Sequence, residues 1–241
     1  MPKHLMWFAA AVVALFAAGA SAETLKLPDN LAGFSTSAGE TYFAESDVRE
    51  AYFPLASNFV TQKTQAYCGV ASIVMVLNAL GVPAPPVPEY DPYRTFTQDN
   101  VLTDKTDAIL ARGVLAMKGM TLDQIGAILA TQPVAAEVHH AADSSPEDFR
   151  KSASSYLGQA GHFVIINYLR KVIGQERGGH ISPLGAYDSK ADRFLVLDVA
   201  RYKYPPVWVK TSELFDAMNT QDSDNDNKTR GFVLVKAAGG Q

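Results

Sequence analysis

The chain has 241 residues, 47% of them hydrophobic and 19% charged, with 21 Lys and Arg against 25 Asp and Glu for a formal net charge of −4. That length can bury a sizeable core, and basic residues scattered through a slightly acidic chain exclude binding of nucleic acid or anionic lipid through a basic face. A single cysteine, Cys68, excludes an internal disulfide.

In chain order, the first element predicted is a cleavable secretory signal. Met1-Pro2-Lys3-His4 precedes an apolar core of 14 residues, Leu5 to Ala18, and Ala20-Ser21-Ala22 supplies the small residues that signal peptidase cleaves after. The core is short for a membrane span, so an uncleaved anchor is the weaker reading, and no stable membrane insertion is expected after cleavage behind Ala22. The expected location is periplasmic or secreted. Cleavage would leave 219 residues, Glu23 to Gln241, with 20 basic residues against 25 acidic ones and a charge of −5. One domain is expected there, because no repeat or tandem linker is visible.

The arm through Ala56 reads as loop-rich. From Cys68 to Leu80 nearly every residue is apolar, which predicts a helix buried on most sides and ended by Gly81. Five prolines between Val82 and Tyr93 predict an extended, irregular connection. Thr121 and Gln124 form a capping box opening a helix to about Ala130, and Ser145-Pro146 starts another to about Gln159. The period then changes. His162–Leu169 reads as a mostly buried strand, Gly178–Val199 as two strands around a turn near Asp188–Asp192, and Val207–Lys210 and Gly231–Val235 as two more. Thr211–Met218 between them is a short helix capped by Thr211 or Ser212. Helices followed by an antiparallel sheet make an α+β domain, with a helical N-terminal half and the sheet in the C-terminal half.

Cys68 would sit at a helix N-terminus, where unpaired backbone N–H groups and the helix dipole favour a thiolate. A buried, inert thiol is the alternative. Gln62, six residues upstream, could donate its side-chain amide to an oxyanion, with the Cys68 N–H as second donor. A nucleophilic thiol needs a base, and the base needs an orienting group. His180 follows Gly178-Gly179, glycines that allow close approach, and Asp198 interrupts an apolar strand. For a turn centred near Ser189 the two would face each other across a hairpin. A satisfied core histidine and a turn or edge acid are the readings left open for them.

His162 has no nearby acid and is the weaker base. His139-His140, adjacent and therefore on opposite faces, read as surface or loop residues rather than a metal pair. Asp222–Asn227 resembles the opening of a calcium loop but lacks its glycine at the sixth position and its glutamate at the twelfth. No metal site is expected.

The run from Gln62 through Cys68-Gly69-Val70-Ala71-Ser72 to Val76-Leu77-Asn78-Ala79-Leu80-Gly81 resembles the catalytic segment of phytochelatin synthases. The resemblance continues at Gly179-His180-Ile181-Ser182-Pro183-Leu184-Gly185-Ala186-Tyr187-Asp188, at Phe194 to Pro206, and at Arg230-Gly231-Phe232. It implies a papain-like fold and γ-glutamylcysteine transfer. Cys68 would attack the Cys–Gly bond of glutathione, releasing glycine. His180 would act as general base and acid, Asp198 would orient it, and Gln62 with the Cys68 N–H would form the oxyanion hole. Arg230 and Asp222 match positions that hold the γ-glutamyl end, and Gly179 is a third substrate-binding residue expected from the resemblance. No cofactor is implied for acylation, while cadmium or zinc would enter as glutathione thiolate complexes. No second cysteine follows, which resembles the short bacterial type, in which hydrolysis dominates over peptide synthesis. A homodimer is left open. The competing functions are a papain-like peptidase acting on ordinary peptides and a non-enzymatic metal- or thiol-binding protein.

Overall fold

The computed structural model describes residues 24–176 and 178–239, so the signal-peptide reading falls outside the described residues. The N-terminal arm is more ordered than its composition suggests. It holds strand β1 (Ala32–Gly33) and helices α1 (Ser37–Glu45) and α2 (Tyr52–Ser57). Thr36 caps α1 by accepting the Gly39 N–H at 3.2 Å. The rings of Phe34, Phe43 and Tyr52 then cluster, with centroids 5.3, 5.5 and 4.5 Å apart. Those aromatics come from three separate segments, so no local periodicity announces them.

Helix α3 (Cys68–Ala79) is buried from Cys68 through Leu77 and is followed by Gly81 at φ +65°, as expected from its apolar run. The proline-rich stretch is irregular, with one 3-10 turn at Pro88–Tyr90. Two short helices that propensity did not reveal follow, α4 (Asp104–Asp107) and α5 (Arg112–Lys118), before α6 (Leu122–Leu129) with its Thr121–Gln124 capping box. Next come strand β2 (Val134–His140), helix α7 (Pro146–Leu157) capped by Ser145, and strand β3 (His162–Leu169). The rest of the chain supplies β4 (Gly179–Asp188), β5 (Arg193–Val196), β6 (Val207–Lys210), α8 (Thr211–Met218) and β7 (Gly231–Ala237).

The strands form one sheet of order β1-β6-β5-β4-β3-β7-β2, every pair antiparallel. One edge, β1, comes from the N-terminal half, so the sheet is not confined to the C-terminal half. Strand β2 corrects the reading of His139 and His140 as loop residues. It pairs with β7 from Val134↔Ala237 to His140↔Gly231, and a side chain at Gly231 would run into the His139 carbonyl. With two alanines and two histidines in seven residues, β2 owes its form to that partner rather than to its own alternation.

Helix α3 packs on β4, while α7 and α8 pack on β3. Phe149 of α7 lies 5.1 Å, centroid to centroid, from both Phe194 and Phe232, and all three are buried. Truncating Phe149 to Ala would cost about 3–5 kcal/mol. The α8 cap is also corrected. Lys210 is the cap, and the Thr211 hydroxyl instead donates toward Asp192, 2.7 Å from Oδ1.

The β4–β5 turn sits further along the chain than expected. Opposed pairs are Asp188↔Arg193 and Tyr187↔Phe194, so the turn centres between Lys190 and Ala191 rather than near Ser189. Asp188 sets it by accepting the Lys190 and Ala191 N–H groups at 2.9 and 3.2 Å. A bulge lies between Leu184 and Ala186, and β5 ends at Val196. His180 therefore does not face Asp198 across the hairpin; its cross-strand partner is Tyr168 of β3.

Candidate active site

Asp198 still reaches His180, from the segment that leaves β5. The His180 Nε2 lies 2.9 Å from Asp198 Oδ1, and neither residue is more than 4% exposed. With Nε2 committed to the carboxylate, Nδ1 is the nitrogen left for the thiol. Cys68, 6% exposed, starts α3 directly beside β4. The Ser72 hydroxyl fixes the two elements together, reaching the Cys68 carbonyl at 2.8 Å and that of Ile181 at 3.3 Å. A Cβ at Gly69 would lie 2.8 Å from the Met120 sulfur, so a side chain there would have to displace the Met120 side chain.

The electrostatics follow from burial and from these partners. Burial pushes the Cys68 thiol up, but the hydrogen bond and charge of His180, with the Ile181 and Gly69 N–H groups, outweigh it and hold the thiol below its ordinary 9.0. Burial pushes His180 down. The Asp198 charge and hydrogen bond, with the thiol's hydrogen bond, overcome both burial and Arg170 repulsion and raise it above 6.5. Burial also works against an ionised Asp198, yet His180 and then Arg170 hold it well below the carboxylate range. Each shift on Cys68 and His180 widens the pH range in which thiolate and imidazolium coexist.

A cleft of about 250 Å³ opens beside this group, lined by Cys68, His180, Gly179, Asn167, Asp222 and Arg230. Arg230 Nη1 donates to the Gln221 carbonyl at 2.6 Å and the Thr220 hydroxyl at 3.2 Å, while Nη2 stands 3.4 Å from Asp222 Oδ1. A Cβ at Gly179 would touch that guanidinium at 3.5 Å and narrow the cleft. The structure thus brings five sequence-predicted residues to one place, with Asp198 immediately behind His180.

Gln62 departs from expectation. Its backbone N–H donates to the Val199 carbonyl at 2.9 Å, next to Asp198, and its side chain is buried. The amide donates to the Thr64 carbonyl at 2.7 Å and the Tyr202 hydroxyl at 3.0 Å, so both protons are committed and Gln62 does not line the cleft. An oxyanion role requires Tyr202 to release it. Among the other candidates, His140 lies between Asp123, 2.7 Å away, and the Thr229 carbonyl, which ties the end of the Asp222 loop to α6. His162 is hydrogen-bonded to the Ala160 carbonyl at 3.0 Å. Asp222–Asn227 forms a 3-10 turn over Ser223–Asn225, with Asp226 and Asn227 at positive φ. Among the described residues no group of three or more His, Cys, Asp and Glu could hold a metal ion, and no helix is long and apolar enough to cross a membrane.

Two features escaped the sequence reading. Arg170, just past β3, is 3% exposed and grips Asp198. Its only sequence signal is a charge ending an apolar strand. Lys118, at the end of α5, lines the cleft and pairs with Asp224 at 2.7 Å.

Fold and side chains together define a thiol site of the cysteine–histidine–aspartate class, set between a helix N-terminus and an antiparallel sheet. The chain belongs to the phytochelatin synthase family, whose model matches residues 22–232. It is 36% identical over 206 residues to glutathione gamma-glutamylcysteinyltransferase 1 of Lotus japonicus, covering 84% of this chain and 40% of that protein. The glutathione gamma-glutamylcysteinyltransferase of Schizosaccharomyces pombe is 30% identical over 216 residues, covering 88% and 50%. The chain thus spans about 40–50% of the length of these curated relatives. Among solved structures, active wild-type Prevotella intermedia interpain A cysteine protease aligns with a TM-score of 0.41 at 15% identity, over 81% of this chain and 96% of that one.

Proposed function

We propose that the protein is a glutathione γ-glutamylcysteinyltransferase-type thiol enzyme in which Cys68 is the nucleophile, His180 the general base and acid, and Asp198 its orienting acid. The observation that carries this reading is one cleft holding the Cys68–His180 pair together with an Arg230–Asp222 pair. The Cys68 thiolate attacks the carbonyl joining cysteine to glycine. The oxyanion is met by the Cys68 N–H, left free at the start of α3, and by Gln62 once Tyr202 lets go. His180 passes its proton to the departing glycine amine, leaving a γ-glutamylcysteinyl thioester. Water deprotonated by His180, or the amine of a second glutathione, then takes the acyl group and restores the thiol.

At the other end of the substrate, Arg230 would take the α-carboxylate, with Gly179 leaving room beside it, and Asp222 the α-ammonium. A zwitterion can exchange with that pair because its 3.4 Å contact is long for an ion pair and each charge finds a replacement. Cadmium or zinc glutathione thiolates are acceptor substrates in this scheme. The export signal read in residues 1–22 supports glutathione breakdown outside the cytoplasm.

The test is to give the purified protein glutathione and a panel of ordinary α-peptides, following free glycine, γ-glutamylcysteine and its oligomers with and without cadmium. Glycine with γ-glutamylcysteine as the main product is expected. Faster cleavage of α-peptides than of glutathione overturns the substrate assignment.

A further inference from the structure

We propose that Arg170 is a positioning residue of the reaction, a fourth member that clamps Asp198 from behind and balances the charge of the ionised site. The inference rests on the function proposed above and adds a residue to it.

The clamp is built from both sides. Nη2 donates to Asp198 Oδ1 at 2.9 Å, and Nη1 stands 2.8 Å from Oδ2 as an ion-pair contact without hydrogen-bond geometry, so the guanidinium faces both carboxylate oxygens. Nη1 also donates to Gln175 Oε1, and the Gln175 N–H returns to the Arg170 carbonyl at 3.1 Å. The Arg170 N–H donates to the Gly178 carbonyl at 3.0 Å, anchoring the turn between β3 and β4. On its face, Arg170 lies 5.1 Å from the Tyr204 ring centroid, and the Tyr204 hydroxyl accepts the Glu176 N–H at 2.9 Å. Arg170 does not line the cleft. It cannot touch a substrate there, and it acts on the reacting atoms through Asp198.

His180 and the Ala200 N–H, 2.8 Å from Oδ1, would bond one carboxylate oxygen but leave the other free to rotate. The Nη1 charge standing 2.8 Å from Oδ2 restrains it. It also changes the charge count. With Arg170, the attacking state carries thiolate, imidazolium, carboxylate and guanidinium, two charges of each sign in a buried space. Without it the same state carries one uncompensated negative charge, which makes the thiolate costlier to form, while the imidazolium loses a repelling neighbour. The other titratable groups facing this cluster are Tyr168 from β3 and Tyr204, with the Lys203–Glu176 pair adjoining. Burial holds the Tyr168 phenol neutral far above its ordinary range, so it supplies no compensating charge.

The experiment measures Cys68 alkylation by iodoacetamide against pH, with kcat and KM for glycine release, in wild type, Arg170→Met and Arg170→Lys. In Arg170→Met both inflections of the alkylation profile should move to higher pH, by about one pH unit. In Arg170→Lys, which keeps the charge but loses the guanidinium, the inflections should stay in place while kcat falls about tenfold or more and KM is unchanged. An Arg170→Met profile superimposed on wild type, or an Arg170→Lys variant with wild-type kcat, overturns the proposal; the lysine variant decides alone if the methionine variant does not fold. Alkylation needs no glutathione, so a wild-type Cys68 that reacts as an ordinary free thiol would instead sink the nucleophile assignment itself.

Discussion

Asp198 and Asp222 are both carboxylates beside an arginine at the same site, and they are held in opposite ways. Asp198 is fully buried, with both oxygens within 2.9 Å of Arg170 and one shared with His180. Asp222 lies on the cleft wall, and Arg230 stands 3.4 Å away with its other nitrogen bonded to carbonyl and hydroxyl oxygens. The first pair cannot be opened without stranding a buried charge, which suits a group that must orient a histidine through many turnovers. The second can be opened by any ligand carrying the matching charges. Asp222 and Arg230 are only 8% and 9% exposed themselves, so it is access to the cleft that separates machinery that stays fixed from machinery that exchanges partners.

The largest effects should follow from breaking the buried side. Asp198→Asn strands Arg170 and removes the His180 partner, so kcat should fall about 10³- to 10⁴-fold, with a loss of about 3–5 kcal/mol in urea unfolding. Because folding holds the Asp198 carboxyl below its ordinary 3.8, its share of stability is present above that value and drains as pH falls toward the lower folded value. Acid unfolding of wild type and Asp198→Asn should therefore converge. A His180→Ala variant should move Cys68 alkylation to higher pH, since burial would then act on the thiol without the imidazole opposing it. An unchanged alkylation profile would break the distinction drawn for the buried side.

On the cleft side the expected losses are smaller and fall on KM. Arg230→Ala should raise KM for glutathione about 10- to 100-fold, the worth of a charge-assisted hydrogen bond, with kcat less affected. Steady-state kinetics would contradict this if kcat alone fell. Smallest of all, Lys118→Ala breaks an ion pair with Asp224 whose side chains are 58% and 45% exposed, and should change kcat/KM by a few-fold at most, less at high salt.

What could be read from the chain follows the same division. Cys68, His180 and Asp198 were legible because reactive residue types stood out in apolar runs, and strands β3 and β6 because their own sequences have strand character. Arg170 was not, since its tie to Asp198 spans 28 residues and depends on a turn between strands. The hairpin arithmetic reached the right pair through the wrong register, because the Asp188 turn and the bulge after Leu184 are backbone features with little sequence signature. Strand β2 exists only through its partner β7, about a hundred residues away, and the aromatic cluster around α1 joins three neighbouring segments with no shared period. Gln62 was expected to donate to an oxyanion, but its amide is turned to Tyr202, 140 residues away, and no spacing could supply that bond.

The central claim is that Cys68 carries the acyl group of glutathione. Free glycine release from glutathione, measured side by side for the wild-type protein and Cys68→Ala, tests it most directly. The account predicts one glycine for each γ-glutamylcysteinyl group that the wild type passes to water or to a second glutathione, and none above background for the variant. Equal release by both proteins would contradict it.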